Sequence, residues 1–288
     1  MKVAGVTFIR NAEKFAYPIK EAILSILPIC DELVVAVGKS EDKTLEIIQH
    51  IDSDKIQIIQ TVWDDTIRTG GQVLAIETNK ALDAVSNDID WCFYIQADEA
   101  IHEKYLSNVR KAMHDNLNNK NIDGLLFHYK HFWGNYDYIG NSRKWYRKEV
   151  RIIRNNKKIR SYKDAQGFRK NNLKLNVKQV DAYIYHYGWV RPPEKLQLKN
   201  LEANKLWHSD DWISKNVPKG SEFDFSNIDS LEKFDGTHPE AMAKLISTIN
   251  WHFNPPPNRL GTKERISRWI EKLTNYRLGE YKNYNLSK

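Results

Sequence analysis

Cysteine is nearly absent. Cys30 and Cys92 are the only two in 288 residues, and each lies in an apolar run. That excludes a disulfide framework or a cysteine metal cluster and suits a reducing compartment. No apolar run approaches the roughly 20 residues that a membrane-spanning helix needs. The opening stretch MKVAGVTFIRNAEK has a short apolar run that passes straight into Arg10 and Glu13. That is not the shape of a secretory signal, so a cytoplasmic protein is expected. No GxGxxG follows the first apolar run and no GxxxxGK[ST] occurs, so the dinucleotide fingerprint and the P-loop are both missing. What remains is 41% hydrophobic and 28% charged. This is enough chain for one large globular domain, or for a domain with an appendage.

The net charge of +7 is unevenly spread. From Arg143 to Lys178, fourteen Lys or Arg stand against Glu149 and Asp164, a local excess of +12 that leaves the rest of the chain at −5. Such a patch attracts phosphates, anionic lipid surfaces or nucleic acid, or is only a solvated face.

The hydrophobic pattern alternates. Strand-like runs occur at KVAGVTFIR (from Lys2), DELVVAV (from Asp31), KIQIIQTVW (from Lys55) and WCFYI (from Trp91). Between them lie helical stripes at Ile19, Ile23, Ile26 and Leu27, at Leu45, Ile48 and Ile51, and at Val73, Leu74, Leu82 and Val85. This β-α-β-α-β-α-β rhythm predicts a parallel sheet with helices on both faces. Further strands are expected at 123–133, 149–154 and 180–189. Loops are expected at 134–145 and 161–170, and a mostly helical segment from Pro192 onward. The last helix carries Ile266, Trp269, Ile270, Leu273 and Tyr276 on one face, with Arg265, Arg268 and Arg277 elsewhere. It is expected to cap the core; the alternative is that it lies on a membrane surface.

The chain is organised around Asp90 to Glu103, DWCFYIQADEAIHE. A doubly buried strand ends abruptly in Gln96, Ala97, Asp98 and Glu99, where open α/β sheets place their ligands. Carboxylates there need a cation or donors, and a hard divalent metal carrying a diphosphate meets that need. The plain alternative is an acidic helix N-terminus.

Three pieces in order resemble the family 2 glycosyltransferases of the GT-A fold: FIRNAEKF at Phe8 to Phe15, DELVVAVGKSEDKTLEII at Asp31 to Ile48, and Asn79 to Leu82 leading into DWCFYIQADE. The resemblance is firm over residues 1–105, looser through WYRKEVRIIRN, DAQGFR and YHYGW, and fades beyond. It implies a Rossmann-related, mostly parallel sheet forming a catalytic domain over 1–190. Residues 1–105 would be its nucleotide-sugar half, 106–190 its acceptor half, and 191–288 a helical extension packed on it. It implies a nucleotide-sugar donor, a divalent metal (Mn²⁺ or Mg²⁺) and inversion by direct displacement. The acceptor would be a glycan or lipid-linked molecule of a bacterial surface polysaccharide, met at the inner face of the membrane. Donor contacts would come from Thr7, Arg10, Asn11, Glu13, Gly38, Asp42, Gly71, Asn79, Gln96, Ala97 and Asp98, and the metal would sit on Asp98 and His186. Several of these have plain roles as caps and turns. Two departures stand out: Gln96 replaces the usual first Asp of the acidic motif, and Val37 replaces the Asp that usually contacts the base.

A base must be a carboxylate within reach of the acceptor hydroxyl. Asp164 and Glu149 are the only acids in the basic segment, with Asp164 preferred because it lies in a loop. Arg151, Arg154, Arg160 and Arg169 are expected to face the leaving diphosphate or a phosphorylated acceptor. Phe132, Trp133, Tyr136, Tyr138, Trp145 and Tyr146 are expected to stack on an acceptor sugar, unless they form a minor core cluster. Two other classes remain open: a nucleotidyltransferase, and a non-catalytic nucleotide- or nucleic-acid-binding protein using the 143–178 patch. Nucleic acid is not the expected partner, because the patch borders an acidic cleft.

Overall fold

The computed structural model describes residues 1–274, 276–277 and 279–287. The first hundred residues form β1 (Val3–Ile9), α1 (Ile19–Ile26), β2 (Glu32–Gly38), α2 (Thr44–Gln49), β3 (Ile56–Thr61), α3 (Gln72–Asp83) and β4 (Trp91–Tyr94). Strands β3, β2, β1 and β4 lie side by side, all parallel. Their unbroken apolar runs follow from this position, since each of β1, β2 and β4 is covered on both faces. One face packs on α1 through Ile19, Ile23 and Ile26, and the other on α3 through Ala81 and Leu82 and on Val85 just after it.

After β4 the chain departs from a simple alternation. Glu99 opens no helix; it begins a short strand, β5 (Glu99–Ile101), followed by α4 (Leu106–Asp115), β6 (Gly124–Trp133), β7 (Tyr138–Gly140) and β8 (Lys148–Arg154). β8 pairs antiparallel with both β4 and β6, so the second half of the sheet is mixed. The segment expected to be a loop at 161–170 is a hairpin of β9 (Ile159–Tyr162) and β10 (Gly167–Lys170), extended by β11 (Leu173–Lys174). Its strands are too short for a period to show. β12 (Asn176–Trp189) then runs parallel to β6 and antiparallel to β5.

The segment from residue 191 holds α5 (Pro193–Asn204), α6 (Asp210–Asn216), α7 (Ala243–Ser247) and α8 (Thr262–Thr274). It also supplies two short strands to the sheet: β13 (Leu231–Lys233) beside β7, and β14 (Asn285–Leu286) beside β12. None of its helices, nor any other among the described residues, is long and apolar enough to cross a membrane.

The aromatic run at 132–146 is mostly core. Phe132 stacks against Tyr185 and Tyr187, and Trp133 packs among Trp189, Phe223 and Phe225. The expected sugar platform therefore shrinks to Trp145 and Tyr146.

Candidate active site

One cleft opens at the carboxyl ends of β1, β3 and β4, and a second lies beside it between the start of β8, the β9–β10 hairpin and the chain near the C-terminus. The first, of about 330 Å³, is lined by Arg10, Phe15, Tyr17, Trp63, Gln96 and Asp98, and across from them by Lys199 and Trp207. The second, of about 400 Å³, is lined by Trp145, Tyr146, Glu149, Tyr162 and Lys163, and by Arg277, Glu280, Tyr281 and Tyr284 near the C-terminus. Tyr146, Asp164 and Gln166 line both, so the clefts meet there.

Asp98 is the focus of the first cleft. Its Oδ2 lies 3.1 Å from the Lys199 ammonium and 3.5 Å from the Arg191 guanidinium, and its Oδ1 lies 3.8 Å from His186 Nε2. Burial would raise this carboxyl, but Lys199, His186 and Arg191 outweigh it and hold it well below the ordinary range. Lys199 is itself pulled down to about 8, by burial first and then by Arg191, with Asp98 opposing. Arg191 donates to the Phe15 carbonyl and lies over the Tyr17 ring, while its Nε and Nη2 have no hydrogen-bond partner. Two cations thus share one carboxylate, and the excess charge suits an anion. Neither was foreseen. Both lie in a stretch rich in polar residues, VRPPEKLQLKN, with no spacing to mark them.

The geometry of His186 bears on the expected metal. His131 Nε2 lies 2.8 Å from the Tyr146 carbonyl and must donate to it; His131 Nδ1 then accepts from His186 Nδ1 at 3.0 Å. Burial holds both imidazoles below their ordinary range, His131 far below, although Asp98 pulls His186 the other way. In that tautomer, assigned from the network, His186 Nε2 presents a lone pair towards a carboxylate oxygen. Two acceptors facing one space, with the other ring nitrogen anchored, is a donor set for a divalent cation. Among the described residues no group of three or more His, Cys, Asp or Glu gathers that could hold a metal. Asp98 and His186 would supply two ligands at most, with Lys199 and Arg191 competing for the same carboxylate, so any ion there would need most of its shell from a substrate.

The other expected donor contacts divide. Arg10 and Gln96 line the cleft with Ala97; Arg10 lies 4.4 Å over Trp63 and pairs with Asp65 at 2.7 Å. Gly38 and Gly71 act through close packing. A Cβ on Gly38 would come within 2.5 Å of Trp63 Nε1. One on Gly71, which has φ of +66°, would come within 2.7 Å of Trp207 and 2.9 Å of Asp164 Cβ. Thr7 is buried in β1, and its hydroxyl has no partner. Asn11, Glu13 and Asp42 are spent on the loops: Asn11 accepts from the Glu41 amide, Glu13 from that of Lys43, and Asp42 from those of Lys14 and Thr44. Asn79 ties α3 to β9 through both backbone groups of Ser161 and lies outside the cleft.

The four arginines expected at the diphosphate are also spent elsewhere. Arg151 is fully buried against Glu99. Arg154 lies over Trp91 and donates to three carbonyls. Arg160 pairs with Asp83, and Arg169 lies over Tyr162. Single-sequence charge counts cannot see such pairings, because each partner comes from another element.

Asp164 sits at the tip of the β9–β10 hairpin between Lys163 and Ala165, both in the left-handed region at φ 54° and 60°. Asp164 lines both clefts where they meet, with these two uncommon backbone conformations on either side of it. Glu149 is different. Burial pushes its carboxyl up to about 8, with Arg151 opposing and Glu99 and Asp164 adding repulsion. Gln166 donates to its Oε1, while Oε2 has no partner. A carboxyl raised this far is ionised only in a minor fraction at neutral pH. The unfolded chain ionises it from about pH 4.5, so native stability should fall as pH rises from there to about 8. Glu149→Gln removes that titration. The variant should gain on the wild type by up to about 1.4 kcal/mol per pH unit in this window. Chemical denaturation at pH 5.5 and pH 7.5 checks it; an equal difference at both pH values would show that Glu149 is ionised throughout.

No protein-family model matches the chain, and no curated protein matches it. Among solved structures it is similar to S. aureus TarS, with 18% identity over 71% of this chain and 41% of that one, and a TM-score of 0.43. For the TarS 1–349 fragment in complex with UDP the values are 18%, 76%, 76% and 0.42. Glucosyl-3-phosphoglycerate synthase from Mycobacterium tuberculosis, in complex with Mn²⁺, UDP and phosphoglyceric acid, matches at 22% identity over 46% of this chain and 43% of that one, with a TM-score of 0.30. This chain spans less than half the length of the first of these.

Proposed function

We propose that the chain is an inverting glycosyltransferase that moves a sugar from a nucleotide-sugar donor to a glycan or lipid-linked acceptor of a surface polysaccharide. One observation carries the reading: two clefts meet at a single carboxylate, Asp164, and Asp98 with its cations lies in one of them. The first cleft suits the donor. Trp207 lines it for a base or ribose, beside Trp63 with Arg10 over its ring, and Asp98, Lys199 and Arg191 at the sheet end would supply counter-charge to a diphosphate. The second suits the acceptor, with Trp145, Tyr146 and Tyr162 along it. The surface-polysaccharide role rests on the sequence motifs at Phe8, Asp31 and Asn79.

In this reading the acceptor hydroxyl attacks the anomeric carbon from the side of the second cleft. Asp164 takes the hydroxyl proton, the new glycosidic bond forms, and the bond from the anomeric carbon to the diphosphate oxygen breaks with inversion. A divalent ion held by Asp98 and His186 would offset charge on the diphosphate. Lys199 and Arg191 act on the same charge from the opposite side of Asp98. Gln96 contributes no charge, so the protein leans on these two cations more than a site with two carboxylates would.

Thermal stability against UDP, GDP, ADP and their sugars, with Mn²⁺, Mg²⁺ or EDTA, tests the reading. A nucleotide at 100 times its Kd should stabilise by about 2.7 kcal/mol. The gain should shrink in EDTA and disappear in Asp98→Ala. No stabilisation by any of them would overturn the reading and favour the second class, a binding surface built on the basic segment.

A further inference from the structure

Helix α8 sits on the protein the wrong way round. Glu264, Ser267, Arg268 and Glu271 recur at the spacing of one helical stripe, and that polar stripe faces inward. Glu264 accepts from the Arg143 amide at 3.2 Å, and Ser267 accepts from the Arg143 guanidinium. Arg268 donates to Ser230 at 3.3 Å, and Glu271 pairs with Arg147 at 3.1 Å and with Arg277 at 2.9 Å. The opposite stripe, Ile266, Trp269, Ile270 and Leu273, points away, with exposures of 55%, 65%, 45% and 66%. A helix that only caps a core would be turned half a revolution. The expectation that α8 caps the core is therefore overturned: ion pairs hold its polar side, and its apolar side is left outside.

We propose that this outward face docks on an anionic membrane surface. A water-facing stripe of four large apolar residues is costly to leave exposed and marks an interaction site. Three features select a lipid surface. Trp269 stands on the stripe, and tryptophan favours the boundary between headgroups and acyl chains. Lys263 and Arg265 flank the stripe and are exposed, as is Arg259 just before the helix, so the rim is cationic. The stripe is narrow, about four side chains, whereas a stable protein partner needs roughly 800 Å² on each side. The chain that follows α8 also lines the second cleft, through Arg277, Glu280 and Tyr281. A docked α8 would bring that cleft near the surface, where a lipid-linked acceptor resides. That last step rests on the glycosyl-transfer reading; the docking itself does not.

Co-sedimentation of the full chain with vesicles tests the docking. Vesicles of phosphatidylcholine with 30% phosphatidylglycerol should bind the protein, and pure phosphatidylcholine should bind it much more weakly, given about fivefold per basic residue near an anionic surface. Trp269→Ser/Leu273→Ser should lower partitioning at least about tenfold. These side chains are exposed, so the variant should keep its fold and its nucleotide-induced stabilisation. Lys263→Ser/Arg265→Ser should remove most of the preference for anionic vesicles. Equal partitioning of the wild type and the apolar variant would overturn the proposal, as would no binding to either vesicle. A dimer that Trp269→Ser/Leu273→Ser dissociates would also overturn it, by assigning the face to a second copy. Vesicle binding without nucleotide binding would keep the docking and sink the transferase; the reverse would do the opposite.

Discussion

Asp164→Asn should lower kcat for sugar transfer by about 10²–10⁴-fold, the range that a positioned acid–base group supplies. The substitution keeps size and shape and removes only the ability to take a proton. Donor affinity should stay within about twofold, because the counter-charges proposed for the diphosphate, Lys199 and Arg191, lie around Asp98. The fall should therefore appear in kcat with little change in the donor KM. Glu149→Gln is the control. Glu149 is already largely neutral near pH 7, and burial, not the reaction, sets its state. Its replacement should leave kcat within about fivefold if it plays no part in proton transfer. If Glu149→Gln abolished turnover while Asp164→Asn did not, the base would be Glu149, and the rate would rise with pH up to about 8 as it ionises.

The two halves of the molecule differ in how readily the sequence announces them. β1, β2 and β4 are buried on both faces, so each reads as an unbroken apolar run, and the helices between them show a clear stripe. The position of Asp98 at a sheet end followed from that reading alone. β5, β7 and β9 to β11 are two to four residues long, too short to carry a period. The hairpin that carries Asp164 therefore reads as a loop in the sequence, although Asp164 itself stands out as one of two acids in a basic segment. The charge excess misled for a related reason. Composition counts charges but cannot pair them, and Arg151, Arg160 and Lys170 find Glu99, Asp83 and Asp123 across distant elements. Lys199 and Arg191 were invisible for the converse reason: they look like ordinary polar residues, and only the fold brings them to Asp98. In α8 the period is visible in the sequence and the direction is not, because periodicity finds two faces without saying which one is inside.

Arg151→Met should cost about 3–5 kcal/mol of stability, the usual result of removing one partner from a buried ion pair. Neither Arg151 nor Glu99 has measurable side-chain exposure, and the two meet through a fork at 2.9 Å and 2.7 Å. Both partners make further hydrogen bonds. Arg151 donates to the carbonyls of Val150 and Gln166, and Glu99 accepts from Tyr129 at 2.8 Å and from the Gln96 amide at 3.1 Å. The guanidinium also lies 5.3 Å from the Tyr94 ring and 5.2 Å from the Tyr129 ring. Met fills comparable volume but leaves Glu99 as a buried carboxylate without its cation. At about 2–4 °C per kcal/mol for a chain of this size, melting should fall by roughly 6–20 °C. Arg151→Met/Glu99→Leu should recover much of the loss, because two apolar groups leave no stranded charge. The pair also sets the site. Glu99 follows Asp98 directly, and its contact with the Gln96 amide fixes the turn that presents the Asp98 carboxylate. Nucleotide-induced stabilisation should therefore weaken in Arg151→Met even well below its melting point, and the double variant should regain stability more fully than binding. If the double variant melted as low as the single one, the fork would be serving as packing alone, and its link to Asp98 would be lost with it.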